Sequence, residues 1–210
     1  MYSDAIPKAV IQRMPRYYRY VSELMNEGIE KVSSGELSKK MNITASQVRQ
    51  DFNMFGEFGL KGYGYHVKTL YEEIRTIMGV EQKKNLIVIG AGNLGQALVS
   101  YANFVKYGFV MKGMFDVNPH LIGLVVNGIE IQSLDNLENF IYKNNIHIAV
   151  LTMPKKNAPA IAERLYHVGI RAIWNFSSVD LNLPDDVVIE NVHLSESLIK
   201  LAFELNICID

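Results

Sequence analysis

Apolar and polar positions along this chain follow two different periods, and the change between them falls near residues 78–84. Before it the spacing is helical. Tyr17, Tyr20, Val21, Leu24 and Met25 share one face, with Pro15 suited to a first turn and Gly28 to a stop. Ser34 reads as the N-cap of a short helix through Lys40 and Met41, and Asn42-Ile43-Thr44 as a tight connection. Thr44 caps a second helix from Ala45 to about Phe55, whose apolar face is Val48, Phe52 and Phe55. Gly56, Gly59, Gly62 and Gly64, with Tyr63, Tyr65 and Val67 between or beyond them, predict a small glycine-bent hairpin. Leu70, Ile74, Ile77 and Met78 then form the face of a last helix.

After the change, short β-branched runs alternate with helical stretches. Leu86–Ile89, Val110–Phe115, Ile146–Thr152 and Ile170–Asn175 read as strands, and Ala158–Val168 as a helix between the last two. Strands alternating with helices predict a parallel sheet of crossover units. Ser195–Asn206 is a terminal helix with Leu198, Ile199, Leu201, Ala202 and Leu205 apolar, more than one sheet edge needs. The expected fold is α/β, with an N-terminal winged helix-turn-helix over 1–80 and a Rossmann domain over 81–192. A terminal helix at 193–210 follows.

Composition narrows this picture. The 210-residue chain is 49% hydrophobic and can bury a real core. Its net charge of −1 is uneven: the first 80 residues hold 11 Lys and Arg against 9 Asp and Glu, the remainder 10 against 13. Lys8, Arg13, Arg16 and Arg19 make the first segment basic, a weak nucleic-acid signature on its own. The single cysteine, Cys208, excludes an intrachain disulfide and a cysteine-based metal site. No run resembles a signal peptide or a membrane span, so a cytoplasmic protein is expected. The histidines lack metal-ligand spacing, and no metal is expected.

The strongest local chemistry is Gly90-Ala91-Gly92-Asn93-Leu94-Gly95, which follows a strand and opens a helix. The first glycine permits a tight turn, the second lets a pyrophosphate approach the backbone, and the third lets helix pack on strand. Asp116 ends the next strand and is placed to accept both hydroxyls of an adenosine ribose. No arginine follows it, which favours NAD(H) over NADP(H). Thr152 and Pro154 end a later strand, and the Thr152 hydroxyl is a candidate for the nicotinamide ribose. At the end of the next strand, Asn175 is a candidate for the carboxamide and Phe176 for a wall of the ring pocket.

Residues 34–55 have helix-turn-helix proportions, with the second helix as reader. Its outward residues are Ala45, Ser46, Gln47, Arg49, Gln50 and Asn53; of these Gln or Asn can pair with adenine edges, and Arg with guanine or phosphate. Lys61, Gly62 and Tyr63 would form a wing on the DNA backbone or in the minor groove. With Arg13 and the cap Thr44, these are the candidate DNA-binding residues.

The two halves together resemble the Rex family of redox-sensing transcriptional repressors. The resemblance covers roughly Pro7 to Asn206. It rests on Pro7-Lys8-Ala9 with Arg13 and Tyr18-x-Tyr20, and on Ser46-Gln47-Val48-Arg49. Asp51 with Phe55-Gly56-Glu57-Phe58-Gly59, Gly62-x-Gly64-Tyr65-x-Val67 and Gly90–Gly95 continue it. Phe115-Asp116, Thr152-x-Pro154, Gly169-Ile170, Asn175-Phe176 and Glu190-Asn191-Val192 complete it. It implies a homodimer on a palindromic operator, each terminal helix swapped onto the partner's Rossmann domain, and release from DNA when NADH rather than NAD⁺ is bound. It also implies that Tyr101, expected on the helix after the glycine turn, lies beside the nicotinamide. Arg19 would couple the two domains. The chain departs from the family pattern at Gln50, where lysine is usual, and at His193, where the usual residue is an aspartate that switches between the matches of Tyr101 and Arg19. Three alternatives stay open: a constitutive or weakly responsive relative, a regulator that binds CoA or another nucleotide, and an NAD-dependent dehydrogenase. The last has only about 20 residues after the sheet for a substrate domain.

Overall fold

The computed structural model describes residues 6–56 and 64–209, and the chain divides into two compact units, Met1–Gln82 and Lys83–Asp210.

The first unit is built on a long helix α1 (Lys8–Asn26), followed by β1 (Lys31–Val32), α2 (Ser34–Met41), α3 (Ala45–Asn53), β2 (Tyr65–His66) and α4 (Val67–Ile77). α1 begins well before the turn expected at Pro15, because Val10 and Met14 extend its buried stripe of Tyr17, Tyr18, Val21 and Leu24 toward the N-terminus. Pro15 lies inside the helix on the exposed side, where the Ile11 carbonyl that lacks its usual donor can be served by water. Gly28, in the left-handed region at φ +74°, ends the helix: the Ile29 N–H reaches back to the Leu24 carbonyl and the Gly28 N–H to that of Met25.

α2 is capped by Ser33, one residue before the expected Ser34. Only Ser33 has a glutamate three positions on, and the Ser33–Glu36 pair satisfies backbone donors in both directions. α3 is capped as expected by Thr44, which accepts from the Gln47 N–H, and it ends at Asn53. The expected hairpin is replaced by a longer-range pairing. Tyr65–His66 pairs antiparallel with Lys31–Val32, from between α1 and α2. Val67 belongs to α4 rather than to a strand. Gly64 is required where the chain enters this pair, since a Cβ there would stand 2.7 Å from the Val32 carbonyl oxygen. Residues 57–63, including Lys61, Gly62 and Tyr63, lie outside the described residues. Tyr17, Val21, Leu37, Met41, Val48, Phe52, Leu70 and Ile74 form the core.

The second unit is a seven-stranded sheet. Its elements are β3 (Lys84–Ile89), α5 (Asn93–Val99), a 3-10 turn at Ala102–Tyr107, β4 (Phe109–Asp116), β5 (Val125–Val126), β6 (Ile129–Ser133), α6 (Leu137–Asn144), β7 (Ile148–Leu151), α7 (Ala158–His167), β8 (Ala172–Asn175), β9 (Val188–Asn191) and α8 (Leu194–Ile209). The strand order is β5-β6-β4-β3-β7-β8-β9. Only the edge pair β5–β6 is antiparallel, and the six parallel strands taken alone run 3-2-1-4-5-6, the doubly wound order. The connections diverge between β3 and β7, which opens a crevice at the carboxyl ends of those strands. The sequence pattern assigned no element between Asp116 and Ile146. β5 and β6 are nevertheless joined by Asn127-Gly128, both with positive φ, a two-residue hairpin signal legible in the sequence.

One face of the sheet is closed. Ile87, Ile89, Phe115, Leu151 and Ile173 pack under Leu137 and Ile141 of α6 and under Ala162 and Leu165 of α7. On the other face Leu86, Val88, Met114 and Val150 meet Val99 of α5. Beside them an apolar groove of about 270 Å³ remains, lined by Leu86, Phe104, Phe109, Ile148, Trp174 and Val188 among others. Every residue of α8 from 194 to 207 is exposed, including Leu194, Leu198, Ile199, Leu201, Phe203, Leu205 and Ile207. No helix among the described residues is long and apolar enough to cross a membrane.

Replacing Pro15 by alanine restores a helical donor without touching the core. We expect Pro15→Ala to raise the stability of the first unit by roughly 1–3 kcal/mol in thermal or urea melting. An unchanged midpoint would mean that the bond to the Ile11 carbonyl has no net value there.

Candidate nucleotide site and DNA interface

The glycine turn lies at the crevice between β3 and β7, and its three glycines meet three different surroundings. Gly90, at φ +106°, passes so close to β7 that a Cβ would stand 2.7 Å from the Thr152 carbonyl oxygen. Gly95 rests on the Gly90 carbonyl, where a Cβ would collide with it. Gly92 has no atom within 4 Å of where its Cβ would be, so at that point the backbone is open to a ligand. Asn93 and Leu94 begin α5.

A cleft of about 730 Å³ runs outward from this turn. It brings together five of the expected residues: Gly90, Gly92, Asp116, Thr152 and Pro154. The Asp116 carboxylate accepts the Ala91 N–H at 2.5 Å and the Asn118 N–H at 2.8 Å. Two of its four lone-pair directions are thereby used and two remain for hydroxyl groups. Leu121 and Leu134 on one side and Ala160 and Ile161 on the other supply apolar walls, with Lys156 and Asn157 at the rim. Sequence reasoning missed these. Leu121, Leu134, Lys156 and Asn157 lie in the segments after β4, β6 and β7, and Ala160 and Ile161 in the first turn of α7, positions that no local motif marks.

Several expected contacts are spent elsewhere. The Thr152 hydroxyl donates to the Gly90 carbonyl at 2.8 Å, with that of Ile89 at 3.2 Å, so its proton locks the glycine turn to β7 and only its acceptor lone pairs are left for a ribose. Asn175 is fully buried: its amide donates to the Val179 carbonyl and the Asn191 side chain, both at 2.7 Å, and its oxygen accepts from the Ser177 N–H and hydroxyl. With every polar valence engaged it has none for a carboxamide and instead ties β8 to β9 and to the turn after it. Phe176 stacks edge-on against Trp174 at 4.7 Å and does not line the cleft. Tyr101 lies beyond the end of α5, where it leads into the 3-10 turn. It is 51% exposed, packs on Phe104 and accepts a hydrogen bond from Asn103 at 3.2 Å.

Helix α3, the expected reader, is anchored by a carboxylate on its inner side. Asp51, with no exposed surface, accepts from Arg13 Nε at 2.7 Å and Nη2 at 2.8 Å, from the Tyr17 hydroxyl at 2.9 Å and from Gln47 Nε2 at 2.8 Å. Burial pushes the Asp51 carboxyl up, but the hydrogen bonds from Arg13, Gln47 and Tyr17 outweigh it and hold the group below its ordinary range. Burial, and then the bond to Asp51, drive the Tyr17 hydroxyl upward, so it remains a neutral donor. Arg13, expected among the DNA-binding residues, is engaged here as an internal anchor, and its side chain is 20% exposed. Gln47 is half-buried, with its amide committed to Asp51. Thr44, Ser46, Arg49 and Gln50 are exposed. Arg49 Nη1 is steadied by the Ser34 hydroxyl at 2.9 Å.

Arg19 is exposed on α1, stacked over the Tyr20 ring at 4.8 Å and 4.0 Å from Glu23. His193 precedes α8, is 19% exposed, and has its Nε2 3.7 Å from an Asp180 carboxylate oxygen. Its partner within the second unit is therefore Asp180. Among the described residues no group of three or more His, Cys, Asp or Glu could hold a metal ion.

Comparison with known proteins places both halves. Residues 5–53 match the family described as putative DNA-binding protein N-terminus, and residues 81–179 match the CoA binding domain family. A redox-sensing transcriptional repressor Rex of Clostridium novyi (strain NT) is 53% identical over 201 residues, 96% of each chain. The Rex of Thermoanaerobacter sp. (strain X514) is 51% identical over 96% of this chain and 90% of its own. The structure of RSP in complex with β-NAD⁺ and operator DNA superposes with a TM-score of 0.93 at 50% identity, covering 97% of this chain and 94% of that one. RSP in complex with β-NADH gives 0.90 at 48% identity, covering 97% and 96%.

The buried anchor sets an acid limit. Because the folded Asp51 is held below its unfolded value, its stabilisation is complete above the ordinary carboxylate pKa of about 4 and is lost as pH falls further. We expect the denaturation midpoint of the first unit to drop below about pH 4 in the wild type. Asp51→Asn should cost roughly 3 kcal/mol at pH 7 and show a flatter acid profile. Parallel profiles for the two proteins would exclude Asp51 as the titrating group.

Proposed function

The chain belongs to the Rex family of redox-sensing transcriptional repressors, and we propose that the cleft at the β3–β7 switch point and the exposed face of α3 are the two sites through which it links the cell's NADH/NAD⁺ balance to operator binding. It is a regulator rather than an enzyme, and it acts in the cytoplasm beside the DNA it controls. The observation that supports this is the presence, in one chain, of an anchored helix α3 with an exposed polar face and an open cleft at the glycine turn, in a chain 97% of which superposes on RSP in complex with β-NAD⁺ and operator DNA.

The residues present fit an NAD(H) molecule. The open side of Gly92 leaves room for a pyrophosphate against the backbone, and the first N–H groups of α5 point the same way. Asp116 keeps free lone pairs for ribose hydroxyls and repels a 2′-phosphate. Leu121, Leu134 and Ile161 provide apolar contact for an adenine. The nicotinamide, when bound, supplies the redox signal: its ring is cationic when oxidised and neutral when reduced. Tyr101 and Phe104 form the aromatic surface beyond α5 that suits the neutral ring, since an apolar surround disfavours a cation. Such a preference moves operator affinity only to the extent that the two cofactor forms differ in affinity for two dimer arrangements.

The homodimer follows from unpaired apolar surface. Seven large apolar side chains of α8 are exposed, and the uncovered sheet face keeps the groove between Phe104, Phe109 and Trp174. Burying each side chain contributes roughly 1.5–3 kcal/mol. Their sum, on the order of 10–20 kcal/mol, covers an association cost of about 4–15 kcal/mol. The helix of each subunit lying against the partner's Rossmann domain satisfies both surfaces, and a dimer sets two reading helices at half-site spacing.

Operator binding measured by anisotropy, with NADH and NAD⁺ titrated separately, tests the reading. NADH is expected to release DNA at concentrations where NAD⁺ does not. Gly92→Val should weaken NADH binding at least tenfold while apo operator affinity stays within about threefold. Equal release by both cofactors would identify a repressor without redox response. Leu201→Asp, or truncation after Val192, should yield a monomer in sedimentation with operator affinity lost. A truncated chain that stays dimeric overturns the placement of α8.

A further inference from the structure

Asp51 faces four donors and is wholly buried, and its chemistry settles a point that a free glutamine leaves open. A carboxylate can only accept hydrogen bonds. The Gln47 group 2.8 Å from it must therefore be the amide nitrogen, and the carbonyl Oε1 is turned away from Asp51. Rotating the amide by half a turn would set Oε1 against the carboxylate, two acceptors with no proton between them. A glutamine on an unsupported helix face can flip and read either a donor or an acceptor. Here the flip is blocked by Asp51, four residues on in the same helix, and Asp51 is itself held from outside α3, by Arg13 and Tyr17 on α1. Gln47 is the third residue of α3, in the first turn, where reading helices of this class meet base edges.

We propose that Arg13 and Asp51 are positioning residues for sequence reading: acting through Gln47, they fix an acceptor toward the major groove, so that the first turn of α3 selects a base with an exocyclic amine, adenine N6 or cytosine N4, over one with a carbonyl. This rests on α3 being the reading helix. Thymine O4 and guanine O6 offer carbonyl oxygens at the corresponding place and meet an oxygen from Gln47. Pre-orientation also means that part of the side chain's rotamer freedom is lost on folding rather than on binding DNA. Arg13, with two nitrogens bonded to Asp51, takes part in reading without touching DNA.

The test is a competition panel of operators carrying each of the four base pairs at every half-site position, measured at several salt concentrations. The proteins are wild type, Gln47→Ala, Arg13→Lys, Arg13→Gln, Tyr17→Phe and Arg49→Ala, each checked for folding by circular dichroism at the assay temperature. In the wild type one position should prefer amine over carbonyl by roughly 5- to 150-fold, the range for one good base contact. Gln47→Ala should abolish that preference at that position alone. Arg13→Lys, which keeps the charge but not the paired hydrogen bonds, should erode the same preference at least threefold while the position read by Arg49 and the salt slope stay unchanged. Tyr17→Phe, which removes one bond to Asp51 and no charge, should erode it less, and it keeps the proposal testable if the Arg13 variants do not fold. A uniform loss across all sequences in Arg13→Gln, with a salt slope shallower by about 0.9, would make Arg13 a phosphate contact and overturn the proposal. A lower melting point with discrimination unchanged would overturn it too. If Arg49→Ala and Gln47→Ala both leave every preference intact, the assignment of α3 as reader fails as well. If only the Arg49 variant changes discrimination, that assignment stands and this proposal falls.

Discussion

A parallel sheet exposes two apolar faces and has to cover both, and that requirement shapes everything outside the first 82 residues of this chain. α6 and α7 close one face completely. α5 and the 3-10 turn close the other only in part, and the aromatic groove beside Trp174 is what they leave. α8 carries the apolar side chains that the groove lacks, yet none of residues 194–207 is buried. The shortage of cover and the surplus of apolar helix are complementary, and the proposed dimer, with α8 of each copy on the other, resolves both. The same sheet order that leaves the groove also opens the cleft between β3 and β7. The proposed assembly surface and the proposed cofactor site are thus two results of one winding pattern.

What could be seen in the sequence is what depends on neighbours in the chain. Gly90, Gly92, Gly95 and Asp116 fall where the spacing placed them, because a tight turn, a close approach and a strand end are local demands. Thr44 caps α3 for the same reason. The shift from Ser34 to Ser33 was legible too, since only Ser33 has Glu36 three positions on. Asn127-Gly128 announced the hairpin of β5 and β6. The start of α1 was hidden by Pro15, which the helix tolerates because the carbonyl left without a donor faces water.

The remaining surprises have one cause: polar side chains find partners far along the chain, and no period records them. Arg13 and Asp51 are 38 residues apart. Thr152 meets Gly90 across 62 residues. β1 finds β2 across the whole of α2 and α3. In the first two cases a residue expected to reach a ligand is engaged in holding the frame of the protein itself. Asn175 is the clearest instance: a strand-end amide in the expected place, completely used in joining β8, β9 and the turn that follows. Side chains bound into the frame in this way give the exposed residues a rigid base, which is how a small set of outward groups such as Ser46, Arg49 and Gln50 can be presented in one arrangement.

The exposed length of α8 bears on how many copies of the protein a cell must hold. If α8 finds cover only on a partner, a lone subunit is an incomplete fold, and the population of finished molecules rises with the square of chain concentration when copies are scarce. Newly made subunits would pair with each other in proportion to their abundance before any operator is filled. Gene dosage and synthesis rate then enter the response alongside the redox state, and a sudden dilution by cell growth would relax repression even at constant cofactor ratio. A subunit that keeps α8 and the sheet but has lost the DNA-binding half, supplied in excess, would occupy partners without restoring them, and a modest amount of it would act dominantly.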